Sequence, residues 1–135
     1  MKKKVLNMLY WILLGLMGIF FSYQKGWIFA NFKSVDAKEA YRLIEEDKNL
    51  TLLDVRTPEE FKLDGYILGA KLIPVGQLSK KLSEVDKSKK VLVYCRSGSR
   101  SVAASRLLSN SGFVVLNLSG GMNSWSSSGF VVEKK

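Results

Sequence analysis

At 135 residues, 47% hydrophobic and 24% charged, the chain has room for one ordinary domain and an appendage. It has no histidine and a single cysteine, Cys95, which removes Cys-His and Ser-His-Asp catalysis, an internal disulfide framework, and zinc or iron–sulfur ligation. The net charge of +9 is uneven: five lysines and no acidic residue precede Asp36, and the later excess is scattered without a basic-aromatic stripe, so no nucleic-acid partner is expected.

Residues 1–33 differ in kind from the rest. Lys2, Lys3 and Lys4 precede an apolar run from Val5 to Phe21, broken only by Asn7 and the helix-tolerated Gly15 and Gly18. At helical rise this run reaches roughly 25 Å, the short end of a membrane span. Tyr10, Trp11, Tyr23 and Trp27 lie toward its ends, as interfacial aromatics do. A secretory signal peptide shares the basic start and apolar core. No good small-x-small cleavage pair follows, however, so the segment reads as an uncleaved single-pass anchor and linker. Lys2, Lys3, Lys4 and the free amine outweigh Lys25 and Lys33, which places the following domain on the extracytoplasmic (periplasmic) side. Secretion after cleavage and a cytoplasm-facing domain are the alternatives.

From Ser34 to Lys135 the pattern is that of an α/β domain. Asp36-Ala37-Lys38-Glu39 reads as a capping box opening a helix that turns Ala40, Leu43 and Ile44 inward. Leu50 to Val55 is a buried strand, and Thr57-Pro58-Glu59-Glu60 supplies the N-cap, first-turn proline and capping glutamate of a short helix. A strand is expected at Ala70–Pro74, a helix at Val75–Val85 and a strand at Val91–Tyr94. Beyond Cys95, apolar residues at helical spacing (Val102, Ala103, Leu107, Leu108) run to a stopping Gly112. Phe113–Leu118 is the last strand, and Gly120-Gly121 opens a short helix around Trp125. Strands alternating with helices imply a parallel sheet covered on both faces.

Cys95 therefore sits where a strand ends, a tight loop turns and a helix starts, the edge at which open α/β sheets bind ligands. Backbone amides of Arg96-Ser97-Gly98-Ser99-Arg100, relaxed by Gly98, form a candidate anion nest, and the next helix adds its positive end. Arg96 and Arg100 bring two positive charges, Arg100 being the better placed to meet an anion's oxygens. All three features favour a thiolate and hence a nucleophilic Cys95. Asp54 and Arg56 fall at the same edge on a neighbouring strand and read as an ion pair bracing the turn. Glu60 reads as a helix cap, Gly120 and Gly121 as close packing beside the loop, and Trp125 as core.

Three stretches in order carry a family resemblance: LLDVRTPEEFKLDGYILGA (Leu52–Ala70), CRSGSRS (Cys95–Ser101) and GGMNSW (Gly120–Trp125). Together they resemble the rhodanese-like domains, single-domain sulfurtransferases, over about Ser34 to Val132. One departure is visible: the family's G-H-I-x-G-A here reads Gly65-Tyr66-Ile67-Leu68-Gly69-Ala70, with tyrosine for histidine. The resemblance implies that Cys95 attacks a sulfane donor such as thiosulfate, carries the sulfur as a persulfide and passes it to cyanide, a thiol or a protein acceptor. Arg96, Ser97, Gly98, Ser99 and Arg100 would hold the substrate, with Asp54, Arg56 and Gly120 in support and no metal or cofactor. The alternative is a membrane-tethered persulfide relay serving a partner protein. The phosphatase pattern C-x5-R is not met, because Ser101 stands where its arginine would.

Overall fold

The computed structural model describes residues 1–134 and divides them into two units, Met1–Ala30 and Asn31 onward. The first contains helix α1 (Lys2–Gln24), 23 residues with none buried. It extends about 34 Å at helical rise, enough to cross a hydrocarbon core of about 30 Å. Length and composition equally suit a signal sequence.

The second unit is an α/β sandwich. In chain order it contains β1 (Lys33–Val35), α2 (Ala37–Glu46), β2 (Leu50–Asp54), α3 (Pro58–Leu63), β3 (Lys71–Leu72) and α4 (Val75–Leu78). After a 3-10 turn at Leu82–Glu84 come β4 (Lys90–Tyr94), α5 (Ser99–Asn110), β5 (Val115–Leu118) and α6 (Gly121–Ser127). The sheet order is β1-β5-β4-β2-β3, parallel throughout.

The period-two alternation of β4 builds both layers. Val91 and Val93 join Leu53, Val115, Leu78, Ala104 and Leu108 on the face covered by α4 and α5. Leu92 and Tyr94 join Leu52, Leu118, Ala40, Met122 and Trp125 on the face covered by α2 and α6. The parallel sheet with helices on both sides is the architecture expected from the residues.

Several elements differ from expectation. At α2 only half of a capping box forms: Asp36 Oδ1 accepts the Glu39 N–H at 2.8 Å, but the Glu39 carboxylate turns to Arg42 instead. The helix expected over Val75–Val85 stops at Leu78 and resumes only as the 3-10 turn. Its lysine-serine middle has no apolar face to pack, and tertiary packing supplies most helical stability. Lys71 Nζ also captures the Glu84 carbonyl at 2.6 Å. Strand β1 went unpredicted, since three residues with only Val35 buried show no alternation. The boundary drawn between residues 33 and 34 runs through it. Phe113, expected in β5, instead bonds through its N–H to the Leu108 carbonyl and closes α5.

Candidate active site

The connections of β2 and β4 leave the sheet in opposite directions, toward β3 and β5, which creates a crevice at their carboxyl ends. Asp54 and Tyr94 are register partners there, and the Val55 N–H bonds the Tyr94 carbonyl at 3.1 Å. Cys95 is the next residue.

Its thiol lies at the bottom of the loop, the residue being only 1% exposed. Sγ accepts the Gly98 N–H at 3.1 Å and lies 3.5 Å from Ser101 Oγ, whose hydroxyl donates to the Gly98 carbonyl at 3.1 Å. Gly98 adopts φ +119°, a conformation that glycine alone takes without strain, and serves as the N-cap of α5. The sulfur therefore faces the positive end of a twelve-residue helix, the setting that stabilises thiolates.

The other side of the loop is held by α6. Met122 and Asn123 donate their N–H groups to the Cys95 and Arg96 carbonyls at 2.8 and 3.0 Å. Gly121 makes the approach feasible: a Cβ there would stand 2.2 Å from the Cys95 carbonyl oxygen and 2.9 Å from that of Arg96. Gly120, read with Gly121 as close packing beside the loop, has its N 3.6 Å from where a Cβ on Gly98 would stand, while a Cβ on Gly120 itself would strike Ser124 Oγ.

Of the loop arginines, Arg96 is exposed, as is Ser97, while Ser99 and Arg100 are half-buried. Arg100 makes a forked contact with Glu60, Nη1 to Oε1 at 2.6 Å and Nη2 to Oε2 at 2.8 Å. Glu60 thus takes the end-on face of the guanidinium, leaving Nε–H and the outer Nη hydrogens for an anion. The guanidinium is held more firmly protonated by Glu60 and, to a smaller degree, by the charge of Cys95. Glu60 also completes the capping box of α3 with Thr57. Its second role, forty residues from Arg100, was missed because the local motif accounted for it fully. Ser101 was missed too; its signal is a serine on the α5 stripe (Ser101, Ser105, Leu108) that faces the core.

Asp54 and Arg56 form a pair buried to 0% and 1% exposure. Arg56 Nη2 meets Asp54 Oδ2 at 2.7 Å and the Gly65 carbonyl at 2.7 Å, and the guanidinium lies 5.6 Å from the Tyr94 ring centre. Burial opposes the Arg56 charge, but the Asp54 hydrogen bonds and charge outweigh it. The Tyr94 hydroxyl, pushed above its usual range by burial, accepts the Ile67 N–H. Together these contacts tie the β2 edge, the Gly65–Ile67 turn and the strand before Cys95. Tyr66, at the family's histidine position, stacks on Phe61 with ring centres 4.2 Å apart and pairs its backbone with Glu133.

A cavity of about 550 Å³ opens on the α2/α6 side, lined by Tyr41, Leu50, Trp125 and Val131 among others, and no loop residue borders it. Its lining includes Glu45, Asp47, Lys48 and Glu133 but not the cysteine. Among the described residues, no cluster of three His, Cys, Asp or Glu side chains is placed to hold a metal.

Comparison with known proteins gives the chain its family. The chain is 33% identical over 99 residues to a sulfurtransferase of Allochromatium vinosum, covering 73% of this chain and 92% of that one. A rhodanese-related protein of Thermoplasma volcanium superposes with a TM-score of 0.71 at 34% identity, over 77% of this chain and all of that one. The polysulfide-sulfur transferase homodimer of Wolinella succinogenes gives 0.73 at 30% identity, over 87% and 90%. A family model described as the rhodanese-like domain matches residues 36–128, and the chain belongs to that family.

Proposed function

We propose that the protein is a sulfurtransferase that carries sulfane sulfur on Cys95. The observation that supports this most directly is the sulfur's seat, 3.1 Å from the Gly98 N–H at the head of α5 with no imidazole in the chain. The Cys95 thiolate attacks the outer sulfur of a donor such as thiosulfate. A Cys95 S–S bond forms, the donor's S–S bond breaks, and sulfite departs with the electron pair. Sulfite leaves readily, so the step needs charge stabilisation rather than a proton donor. The added sulfur stands about 2 Å beyond Sγ, toward the mouth of the loop. There a thiophilic acceptor takes it and the thiolate is regenerated. A thiol this deeply seated favours small donors over bulky ones. The loop residues Arg96 to Arg100 orient the anion, and Asp54, Arg56 and Gly120 support the frame.

A second reading rests on α1. A chain with residues 1–33 as anchor and residues 34–135 as catalytic domain is suited to hand its persulfide to a membrane-associated protein acceptor rather than turn over small molecules. Incubation of the protein with thiosulfate, followed by intact-mass measurement before and after cyanide, tests both. We expect a gain of one sulfur, lost to cyanide as thiocyanate, and no gain in Cys95→Ser. A persulfide that forms but resists cyanide selects the relay, and loading that persists in Cys95→Ser overturns the assignment of the nucleophile.

A further inference from the structure

Ser101 does not belong to the loop residues assigned to substrate, yet its hydroxyl is fully buried beside the reacting atom. Sγ, Ser101 Oγ and Gly98 form a closed ring of three hydrogen bonds. The Gly98 N–H donates to Sγ at 3.1 Å, the thiol donates to Ser101 Oγ at 3.5 Å, and the Ser101 hydroxyl donates to the Gly98 carbonyl at 3.1 Å. A serine hydroxyl has one hydrogen and two lone pairs, so it both accepts from the thiol and donates to the carbonyl. With its hydrogen on the Gly98 carbonyl, the hydroxyl is set to accept from a protonated sulfur.

When the thiol loses its hydrogen, Ser101 Oγ loses its incoming donor and a buried anion appears beside it. The Gly98 carbonyl does not depend on the hydroxyl, because the Val102 N–H also reaches it at 3.1 Å. The Ser101 hydrogen can therefore turn from that carbonyl to the sulfur and leave no buried group without a partner. A hydrogen bond to an ionised acceptor is roughly twice as strong as a neutral one, which drives the turn. We propose that Ser101 is a catalytic residue of sulfur transfer, a switching donor that accepts from the Cys95 thiol at rest and donates to the sulfur whenever it bears charge.

The sulfur is charged twice in each cycle. It is the attacking thiolate when the donor's S–S bond breaks, and the leaving thiolate when the acceptor takes the outer sulfur and the Cys95 S–S bond breaks. In the persulfide between, Sγ is neutral and the hydroxyl returns to the Gly98 carbonyl. No proton is transferred to or from Ser101; the thiol's proton goes to solvent.

The charged groups around the sulfur are few. Arg100 approaches from α5 with Glu60 of α3 on it, the Asp54–Arg56 pair stands at the β2 edge, and Arg96 lies exposed in the loop itself. Helices α4 and α6 contain no titratable residue, and the chain has no histidine.

This inference rests on Cys95 being the sulfur carrier, and the test separates the two. Sulfur loading from thiosulfate is followed across pH for the parent, Ser101→Ala and Ser105→Ala. Ser105 is an equally buried hydroxyl one turn further along, without a hydrogen-bond partner among the described residues. In Ser101→Ala the acid limb of the loading profile should move up by about one pH unit, about tenfold in rate on that limb, with the alkaline rate retained. Cyanide-dependent unloading should slow several-fold, since the same thiolate leaves. Ser105→Ala should keep the parent profile. The thiolate's ultraviolet absorbance, titrated with Cys95→Ser as blank, should show the same upward displacement whether or not thiosulfate is the donor. An unmoved limb, an unmoved titration, or a rate lost equally at every pH overturns the role of Ser101. A parent that titrates but does not load overturns the sulfur-carrier reading alone.

Discussion

Glu60 joins two segments with one carboxylate, closing the cap of α3 and receiving the fork of Arg100. The Arg100 hydrogen bonds are the main reason its carboxyl is held down to about 2, with the Thr57 backbone and the Arg100 charge adding to them against burial. An unfolded glutamate titrates near about 4.3, so the folded form binds its proton less readily than the unfolded form. The pair's contribution is therefore complete above about pH 5 and is lost as pH falls toward 2. With the Arg100 side chain 35% exposed, screening limits that contribution to about 1 kcal/mol. We expect Glu60→Gln to be less stable than the parent by about this amount at pH 7 and to converge with it in acid; urea unfolding at both pH values checks this. The buried Asp54–Arg56 pair differs in kind. Both charges are out of water, and each is tolerable only because the other and the Gly65 carbonyl satisfy it.

Among the elements, α6 has the most exacting fit. Its first amides hold the Cys95 and Arg96 carbonyls, and Gly121 brings the backbones together at φ +54°. Gly121→Ala places a Cβ against backbone atoms that cannot rotate away, so we expect a loss of about 2 kcal/mol or more in urea unfolding, together with slower sulfur loading. The glycine pair was visible in the sequence, but how closely Gly121 meets the Cys95 and Arg96 carbonyls depends on how α6 docks on the loop, a contact made across the fold. The same division runs through the other elements. Thr57-Pro58-Glu59-Glu60 was legible because the capping box is complete within four residues. The strand-loop-helix around Cys95 was legible because a β-branched run, a glycine and a helical stripe follow one another directly. The Glu60–Arg100 fork joins residues forty positions apart, and the edge strand β1 draws its partners from β5. Neither leaves a local pattern. The split of Val75–Val85 was missed because spacing shows where apolar residues fall, not whether a core awaits each turn.

At the scale of the whole molecule, charge and apolarity divide between the two units. All 23 residues of α1 are unburied, and their apolar side chains have no protein surface to cover them within their own unit. A helix of that length exposed to water is an aggregation hazard; in a bilayer it is an ordinary span. We therefore expect the full chain to stay with membranes through alkaline carbonate washing and to be released by detergent. Recovery in the soluble fraction would remove the anchor from the proposed domain plan. The sheet order has a further consequence, for synthesis. β5 sits between β1 and β4, so the first strand made has no neighbour until residues 115–118 have left the ribosome. The amides that orient the Cys95 loop arrive later still, at Met122 and Asn123. A nascent chain stalled after α5 thus exposes its cysteine in a loop whose Cys95 and Arg96 carbonyls are not yet held by α6.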